Sequence, residues 1–431
     1  MESKHGQALR GGQGGLIGVI EQAMLLPSPP KIYLHPRIQG NLAMLLRPLL
    51  LLSCWLFFST ALQAQYKLEQ HDGGVRIFDA DKLIADYAID NGPKPILWPL
   101  LGPDGVKMTR EYPMVKDSKN EAHDHPHHRS LWFTHGEVNG VDFWAEGEKM
   151  GRTDHIEFTK LADGKSAVIA SKNSWKSADD KVVLTDHRRF TFSSGPQDSR
   201  IIDCEIQLLA SEGDLHFGDT KEGTFAIRVA ESMKVDAKKG GRIVNSKGDV
   251  DGAAWGKPAE WVDYHGPIND ETMGIAILCH PSTFHYPNRW HVRTYGLFAA
   301  NPFGVSHFLG DKQMTDGTRI KAGEVLLFRY RVILHQGDEK AAKVAEQFKQ
   351  YAELAFEPLE SPSRDHALIP LPTRAIFKEP AAGLLKSGVV WMFGAGPVRL
   401  FRHHRNPQRP RSRPGPQAKR LGRSRRCNHS C

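Results

Sequence analysis

The chain has 431 residues, of which 40% are hydrophobic and 25% charged, and its formal net charge is +8 at pH 7. Ten lysines and arginines lie in residues 401–431 without any acid, which leaves a formal charge of −4 on residues 44–400. The basic field is therefore confined to one tail, and the acidic body excludes an extended nucleic-acid-binding surface. We expect no nucleic-acid partner.

Residues 44–64 have the pattern of a secretory signal peptide. Arg47 precedes an apolar stretch of 14 residues, 49–62, and small residues stand at Ala61 and Ala64. A membrane-spanning helix needs about 20 apolar residues, so we expect no stable membrane span after removal of this segment. Because the signal begins at Met44, we interpret residues 1–43 as an over-called extension. The protein is predicted to be exported to the periplasm or the extracellular space.

Short runs of alternating polarity follow from residue 66 to residue 335. In residues 200–210, Ile202, Cys204, Ile206 and Leu208 occupy one side and polar residues the other, which is typical of a half-buried strand. Similar runs occupy residues 167–172, 181–192, 224–229, 274–278 and 325–334, with Gly-containing turns between such runs. We predict an all-β domain over residues 65–355, a large antiparallel β-sandwich of a dozen or more strands.

A histidine-rich segment, His-Asp-His-Pro-His-His-Arg, occupies residues 123–129, and His135 follows. Three kinds of chemistry suit it: a metal site formed by His123, His125 and His127, acid–base catalysis by His127 or His128, and binding of sugar hydroxyls or a carboxylate. Arg129 would bind an anionic ligand with two hydrogen bonds. Because Pro126 interrupts any regular ladder, a solvated polar loop is the remaining interpretation.

Cysteines indicate no further site in the body of the chain. Of five cysteines, Cys204 and Cys279 lie in apolar runs and are predicted to be buried and free. The pattern implies neither a disulfide framework nor a thiolate metal site.

A second cluster occupies residues 218–223, where Lys221 and Glu222 stand between glycines. Such a pair can place an ammonium and a carboxylate together, each shifting the pKa of the other. A charged β-turn explains the pattern equally well. Arg228 follows on a predicted strand, where a charge needs a partner.

A third stretch covers residues 290–304. Alternation places His291, Arg293 and Tyr295 on one face, which favours polyhydroxylated ligands, and Asn301 follows. The aromatic residues of this stretch suit a hydrophobic core as well as a sugar site.

The last predicted element is a helix over residues 338–352, with Asp338 as its cap and an apolar stripe of Ala341, Val344, Ala345, Phe348 and Ala352. Residues 356–431 hold ten of the 27 prolines and end in an Arg/Pro-rich stretch. This composition cannot bury enough apolar surface to fold, so we predict a disordered tail.

These stretches, together with residues 259–266 and 329–338, resemble a bacterial family labelled "methane oxygenase PmoA". The resemblance covers about residues 70–352. The label implies a metal-dependent oxidoreductase with a divalent transition metal as cofactor. We do not transfer methane oxidation, because particulate methane monooxygenase subunits are multi-span membrane proteins and this body is polar and strand-rich.

Residues 134–144 also resemble the histidine–glycine stretch of galactose mutarotase-like supersandwiches, which bind a pyranose. That resemblance implies a histidine acid, His128 or His135, and Glu222 as base. The family's base comes late in the chain and no late equivalent is found here, so mutarotation itself is in doubt while sugar binding remains.

We therefore expect an exported protein that acts on or binds a carbohydrate by acid–base chemistry of the epimerase, lyase or hydrolase type. The predicted site is a cleft. The expected catalytic residues are His127, His128 and Glu222, and the expected substrate-binding residues are Arg129, His135, Lys221, Arg228, His291, Arg293, Tyr295 and Asn301. A metal-dependent oxidoreductase and a non-catalytic sugar-binding envelope module are the two alternatives.

Overall fold

A computed structural model describes residues 66–314 and 316–359. The chain divides into two units after Thr373, and all described residues belong to the first. The predicted extension, the signal segment and all but the first residues of the predicted tail lie outside the described residues.

Strands account for most of the regular structure. The strands are β1 Tyr66–His71, β2 Gly74–Asp79, β3 Lys82–Ala88, β4 Ile96–Leu100, β5 Leu131–His135, β6 Arg152–Ala162, β7 Ala167–Lys176, β8 Val182–Ser194, β9 Arg200–Leu209, β10 Leu215–Phe217, β11 Gly223–Arg228, β12 Arg242–Asn245, β13 Trp261–Ile268, β14 Glu271–Cys279, β15 Arg289–Val292, β16 Leu297–Asn301, β17 Thr318–Ile320 and β18 Val325–Gln336. The helices are α1 Val305–Leu309 and α2 Val344–Ala352, with 3₁₀ turns at Pro103–Gly105, Pro196–Asp198, Val235–Ala237 and Asp251–Ala254.

Two eight-stranded antiparallel sheets form the domain. The first has the order β1-β2-β3-β4-β5-β11-β16-β15, the second β12-β13-β14-β18-β9-β8-β7-β6, and β10 pairs with β17 in a small ribbon. The predicted all-β antiparallel sandwich is confirmed. The six runs identified by alternation all lie on strands, as Leu208 of β9 opposite Leu326 of β18 illustrates.

The hydrophobic core lies between the two large sheets. Phe225 of the first sheet stacks on Tyr330 of the second with ring centroids 4.7 Å apart, and Phe133 lies 5.4 Å from Phe328. All four rings are buried. Because side chains alternate along a strand, the residues between these core positions point to the outer faces of the sheets. Cys204 and Cys279 are buried and free, as predicted.

The C-terminal helix is shorter than predicted. It begins at Val344, because Lys343 has a φ of 52°, which is incompatible with a continuous right-handed helix. Asp338 accepts hydrogen bonds from the backbone N–H groups of Lys340 and Ala341, so it caps a turn that precedes the helix. The buried side of the helix is formed by Val344, Gln347 and Tyr351, whereas Ala341 and Ala345 of the predicted stripe are exposed. The short helix α1 was not predicted.

Helix α2 packs on the outer face of the second sheet. Val344 and Tyr351 join a cluster with Trp261, Leu278 and Ile333, and we call this surface the helix face. Within the described residues, no helix has the length and hydrophobicity needed to cross a bilayer.

Candidate functional site

The outer face of the first sheet carries the histidine-rich segment. Trp132 of β5, Ala226 of β11, Ala299 of β16 and His291 of β15 are successive cross-strand neighbours there. Trp132, Ala226 and Ala299 belong to a buried cluster with Trp144, separate from the main core. We call this surface, with the loops of residues 122–129, 218–223 and 293–295, the histidine face.

A column of nearly parallel rings stands on this face. Tyr295 stacks on His125 with centroids 5.3 Å apart, His125 on His128 at 4.7 Å, and His128 on Trp132 at 5.4 Å. Trp144 packs edge-on against His128 at 5.8 Å. The rings of His125 and His128 are therefore part of a packed aromatic layer rather than of a solvated loop, whereas His123 is exposed.

Arg228 and Arg110 hold the histidine-rich loop from below. Arg228, 1% exposed, donates to Asp124 Oδ1 at 3.0 Å and to His128 Nδ1 at 3.2 Å. Arg110 also donates to the Asp124 carboxylate and to the carbonyl oxygens of Asp124 and His125. Burial opposes ionisation of Asp124, but the guanidinium of Arg228 and hydrogen bonds from His125 and Arg110 lower its pKa to about 2. Asp124 is thus the ionic partner that a charged Arg228 on a strand was expected to need.

The contact with Arg228 also determines the tautomer of His128. A guanidinium only donates hydrogen bonds, so His128 Nδ1 accepts and the neutral ring carries its proton on Nε2. Burial, followed by the charges of His127 and Arg228, lowers the pKa of His128 well below its usual value. His125 has a φ of 46°, a strained conformation that costs about 1–3 kcal/mol and that the bond from Arg110 to its carbonyl holds in place.

The pKa values of His127 and His291, which lie on two distant segments of the chain, both respond to the charge of Glu222. Burial and the nearby Lys94 lower the pKa of His127 to about 4, while the charges of Glu146 and Glu222 oppose that shift. Burial also lowers the pKa of His291 to about 4, again opposed chiefly by Glu222. Both imidazoles are therefore neutral at pH 7, and the Glu222 carboxylate acts on both.

The tautomer of His291 leaves one nitrogen available. Its Nδ1 lies 2.8 Å from the carbonyl oxygen of Lys221, so Nδ1 donates and Nε2 keeps its lone pair. No residue in the described part of the chain bonds that Nε2. Lys221 is ion-paired with Glu222, and both side chains are about one-third exposed, at 40% and 32%. This corner of the face can thus accept and donate protons next to solvent.

Arginine and aromatic groups border the same corner. The guanidinium of Arg293 lies 5.6 Å from the ring centroid of Tyr295 and 5.8 Å from that of Trp255. Arg228 lies 5.0 Å from the Tyr295 ring on its buried side. Strand β15 ends at Val292, so Arg293 and Tyr295 reach the face from the turn that follows the strand.

Several buried donor groups on or beside the histidine face lack hydrogen-bond partners among the described residues. They are the indole nitrogens of Trp132, Trp144 and Trp255 and the hydroxyl of Thr224. More than nine-tenths of buried polar groups in folded proteins are bonded, so such a concentration is unusual. Indole N–H groups only donate, and a ligand rich in oxygen acceptors would satisfy them.

Arg129 lies beside this cluster with each of its three nitrogens already hydrogen-bonded. Its Nε and Nη2 donate to Glu146 at 2.8 Å, and Nη1 donates to Asn91. The buried Lys94 lies 2.7 Å from the same carboxylate. The predicted role of Arg129 in substrate binding is not supported by this geometry, because the guanidinium is engaged in fixing the neighbouring loop.

His135 and Asn301 also differ from their predicted positions. His135 is 0% exposed, packs against Phe217 and Phe303, and donates from Nε2 to the carbonyl of Gly218. It therefore lies away from the histidine face. Asn301 donates to the carbonyls of Thr220 and Lys221, so it positions the loop that carries Glu222 and has no amide hydrogen left for a ligand.

The three histidines of the predicted metal site do not gather around one point. His123 Nε2 lies 2.9 Å from the carbonyl oxygen of Ser118, and its ring stacks on Tyr112, away from His125 and His127. In residues 66–314 and 316–359, the three donors close enough to share an ion are Asp263, His265 and Glu339, on the helix face. The histidine-rich segment thus does not fit a three-histidine metal centre.

Several residues of the face were not predicted as site residues. Asp124 stands inside the histidine-rich segment, and its position between His123 and His125 was the available signal. Trp132 and Trp144 flank that segment but have the sequence signature of core residues. Lys94 and Glu146 are 52 residues apart, and nothing in their sequence surroundings indicates the pair.

No curated protein matches the chain in sequence. Among solved structures, it is similar to the GalM/aldose epimerase homologue from C. elegans at 7% identity, with 63% of this chain and 98% of that chain covered and a TM-score of 0.26. A likeness at this level carries no functional argument. The family model described as "Family of unknown function (DUF6807)" matches residues 75–349, well over half of the sequence. The chain belongs to this family of unknown function, DUF6807.

Proposed function

We propose that the histidine face binds a carbohydrate and catalyses a proton transfer on it, as an epimerase, lyase or hydrolase does. The observation that carries the proposal is the position of His291 and the Lys221–Glu222 ion pair beside buried donors that lack partners. Small-molecule sites are commonly lined by aromatic rings with a few placed polar groups, which is the composition of this face.

The residues divide into three roles. Neutral His127 and the Glu222 carboxylate form the acid–base pair, and the free Nε2 of His291 accepts a hydrogen bond or a proton from a substrate hydroxyl. Lys221 and Arg293 supply positive charge at the exposed border, and the rings of Tyr295 and Trp255 offer stacking surfaces. His128 and Arg228 are positioning residues, because their mutual bond and their bonds to the loop occupy them.

The test begins with ligand discovery on the full chain. Thermal shift measurements with neutral monosaccharides, uronic acids and disaccharides identify a binder, and NMR then follows its conversion. Stabilisation by at least one sugar is expected. If none of these sugars raises the melting temperature, the proposal fails.

Variants then separate catalysis from binding. We expect His127→Gln and Glu222→Gln to lower turnover about 10²–10⁴-fold while binding persists. Glu231→Gln is the matched control, because Glu231 forms a similar local ion pair with Lys234 away from this face. If the sugar binds and no variant or wild-type chain converts it, the face belongs to a non-catalytic sugar-binding module.

A metal-dependent oxidoreductase of the kind that the methane oxygenase label implies receives no support from the donor geometry of His123, His125 and His127. Export is a separate proposal, since the signal segment lies outside the described residues. It rests on the pattern of residues 44–64, and mass spectrometry of the exported protein should find an N-terminus at Gln65. An exported chain that begins before Met44 would contradict it.

A further inference from the structure

We propose a second site, on the helix face, at which Asp263, His265 and Glu339 bind a divalent transition-metal ion such as Zn²⁺. These residues lie on the opposite sheet from the histidine face, so this site is independent of the carbohydrate proposal.

Strand register brings the donors together. Asp263 and His265 are two residues apart on β13 and therefore point to the same side. His265 pairs with Gly274 of β14, which in turn pairs with His335 of β18. After β18 the chain turns at Gly337, whose N–H donates to the carbonyl of Thr272, and this turn brings Glu339 over the sheet.

The distances between donor atoms suit a metal ion. His265 Nδ1 lies 2.7 Å from Asp263 Oδ1 and 3.8 Å from Glu339 Oε2. Tetrahedral zinc with bonds of about 2.0–2.2 Å requires its donor atoms to be about 3.4 Å apart. The two observed separations bracket that value, so small side-chain movements suffice. One imidazole and two carboxylates are a donor set that divalent zinc accepts, and a fourth position would remain for water.

An outer hydrogen bond is already in place. His335 Nε2 lies 2.7 Å from Asp263 Oδ2, the oxygen not used by His265. Metal-binding carboxylates are usually held by such an outer partner, which orients them and tunes their affinity. Asp263 is 0% exposed, and each of its carboxylate oxygens lies 2.7 Å from an imidazole nitrogen, of His265 and of His335.

The sheet backbone makes room for this outer partner. A Cβ atom added at Gly274 would lie 2.1 Å from Cε1 of His335, so the imidazole occupies the space of the missing side chain. His335 also lines a cavity of about 210 Å³ with Ser199, Gln336 and Ala342. The side chains of His265 and Glu339 keep 8% and 13% exposure, so these two donors are not fully closed off from solvent.

Zinc content of the full chain tests the proposal. The protein is loaded with Zn²⁺, dialysed and analysed by mass spectrometry for bound metal. We expect Glu339→Gln to lose one equivalent of zinc relative to wild type and Glu346→Gln to lose none. Glu346 is a matched control, since it is an exposed glutamate on the adjacent helix α2. The paired design also cancels zinc held by histidines or cysteines elsewhere in the chain.

Two further readouts distinguish a metal site from a hydrogen-bonded cluster. Substitution with Co²⁺ should give visible absorption bands of tetrahedral cobalt in wild type and in Glu346→Gln, but not in Glu339→Gln. His335→Gln should retain the bands and weaken metal affinity about 10–100-fold, as loss of an outer-shell partner does. Equal zinc content in Glu339→Gln and Glu346→Gln would overturn the proposal.

Discussion

The outer faces of the two large sheets differ in what covers them and in how many polar donors they leave unpaired, although the Tyr351 hydroxyl of the helix face also lacks a partner among the described residues. On the helix face, Arg331 forms a bidentate pair with Asp203, and Arg329 pairs with Glu205. On the histidine face, the indoles of Trp132, Trp144 and Trp255 have no acceptor in the described part of the chain. The same strand alternation creates both faces, so the difference lies in what covers them. A helix covers one face, and the other retains unsatisfied donors that fit a ligand.

The largest expected effect concerns the buried arginine of the histidine face. We expect Arg228→Met to lower the free energy of unfolding by about 3–5 kcal/mol, because it removes a charge-assisted hydrogen bond to Asp124 and leaves the buried Nδ1 of His128 without its donor. Arg331→Met on the helix face should cost less, since the Arg331 side chain is 13% exposed, against 1% for Arg228, and it donates to no buried histidine. Urea denaturation of the two variants measures both losses. Equal losses in the free energy of unfolding would show that the two faces depend equally on their arginine side chains for stability.

The next effect is a pH dependence of stability. His291 has a pKa of about 4 in the folded protein because of burial, against about 6.5 when unfolded. The unfolded chain therefore binds the proton first, and stability falls as pH decreases from about 6.5 to about 4, by about 2–3 kcal/mol for this residue at most. Above pH 6.5 the contribution is fully present.

Urea denaturation at pH 7.5 and pH 5 measures this loss. Between pH 7.5 and pH 5, the free energy of unfolding should fall less in His291→Gln than in wild type. The two proteins should therefore be closest in stability at pH 5. An unchanged pH dependence would contradict a neutral, buried His291.

The smallest effect concerns a single indole donor. Once a sugar ligand is known, Trp255→Phe should weaken its affinity about fivefold, because it keeps the aromatic ring and removes one hydrogen bond of about 1 kcal/mol. Trp261→Phe on the helix face should leave the affinity unchanged. Isothermal titration calorimetry compares the two, and equal affinities for Trp255→Phe and wild type would show that this donor does not contact the ligand.

Much of the fold was predictable because alternation is a local signal. Residues 200–210 and 325–334 gave clear period-two patterns, and both are strands. The helix of residues 338–352 was overextended because its apolar spacing fits a helix, whereas the left-handed Lys343 that interrupts it has no signature in the sequence. An unusual backbone conformation at a lysine depends on tertiary packing.

The sequence identified the segments that form the site, but it identified the roles of individual residues less well. Residues 123–129, 218–223 and the first part of 290–304 lie on one face, but the parity of β5 was ambiguous because Leu131, Trp132 and Phe133 are all apolar. His135 consequently points away from the face. The engagement of Arg129 with Glu146 arises from long-range packing, which spacing along the chain does not reveal.

The residue at position 274 indicates whether a related chain can form the helix-face cluster, because glycine is required there. The imidazole of His335 lies where any larger residue would place its first side-chain carbon, so a single methyl group at position 274 would displace the ring from Asp263. When sequences of related chains are aligned, glycine at this position marks those able to build the same arrangement. A bulkier residue there identifies relatives whose second sheet serves another purpose, even if every charged side chain of the cluster is retained.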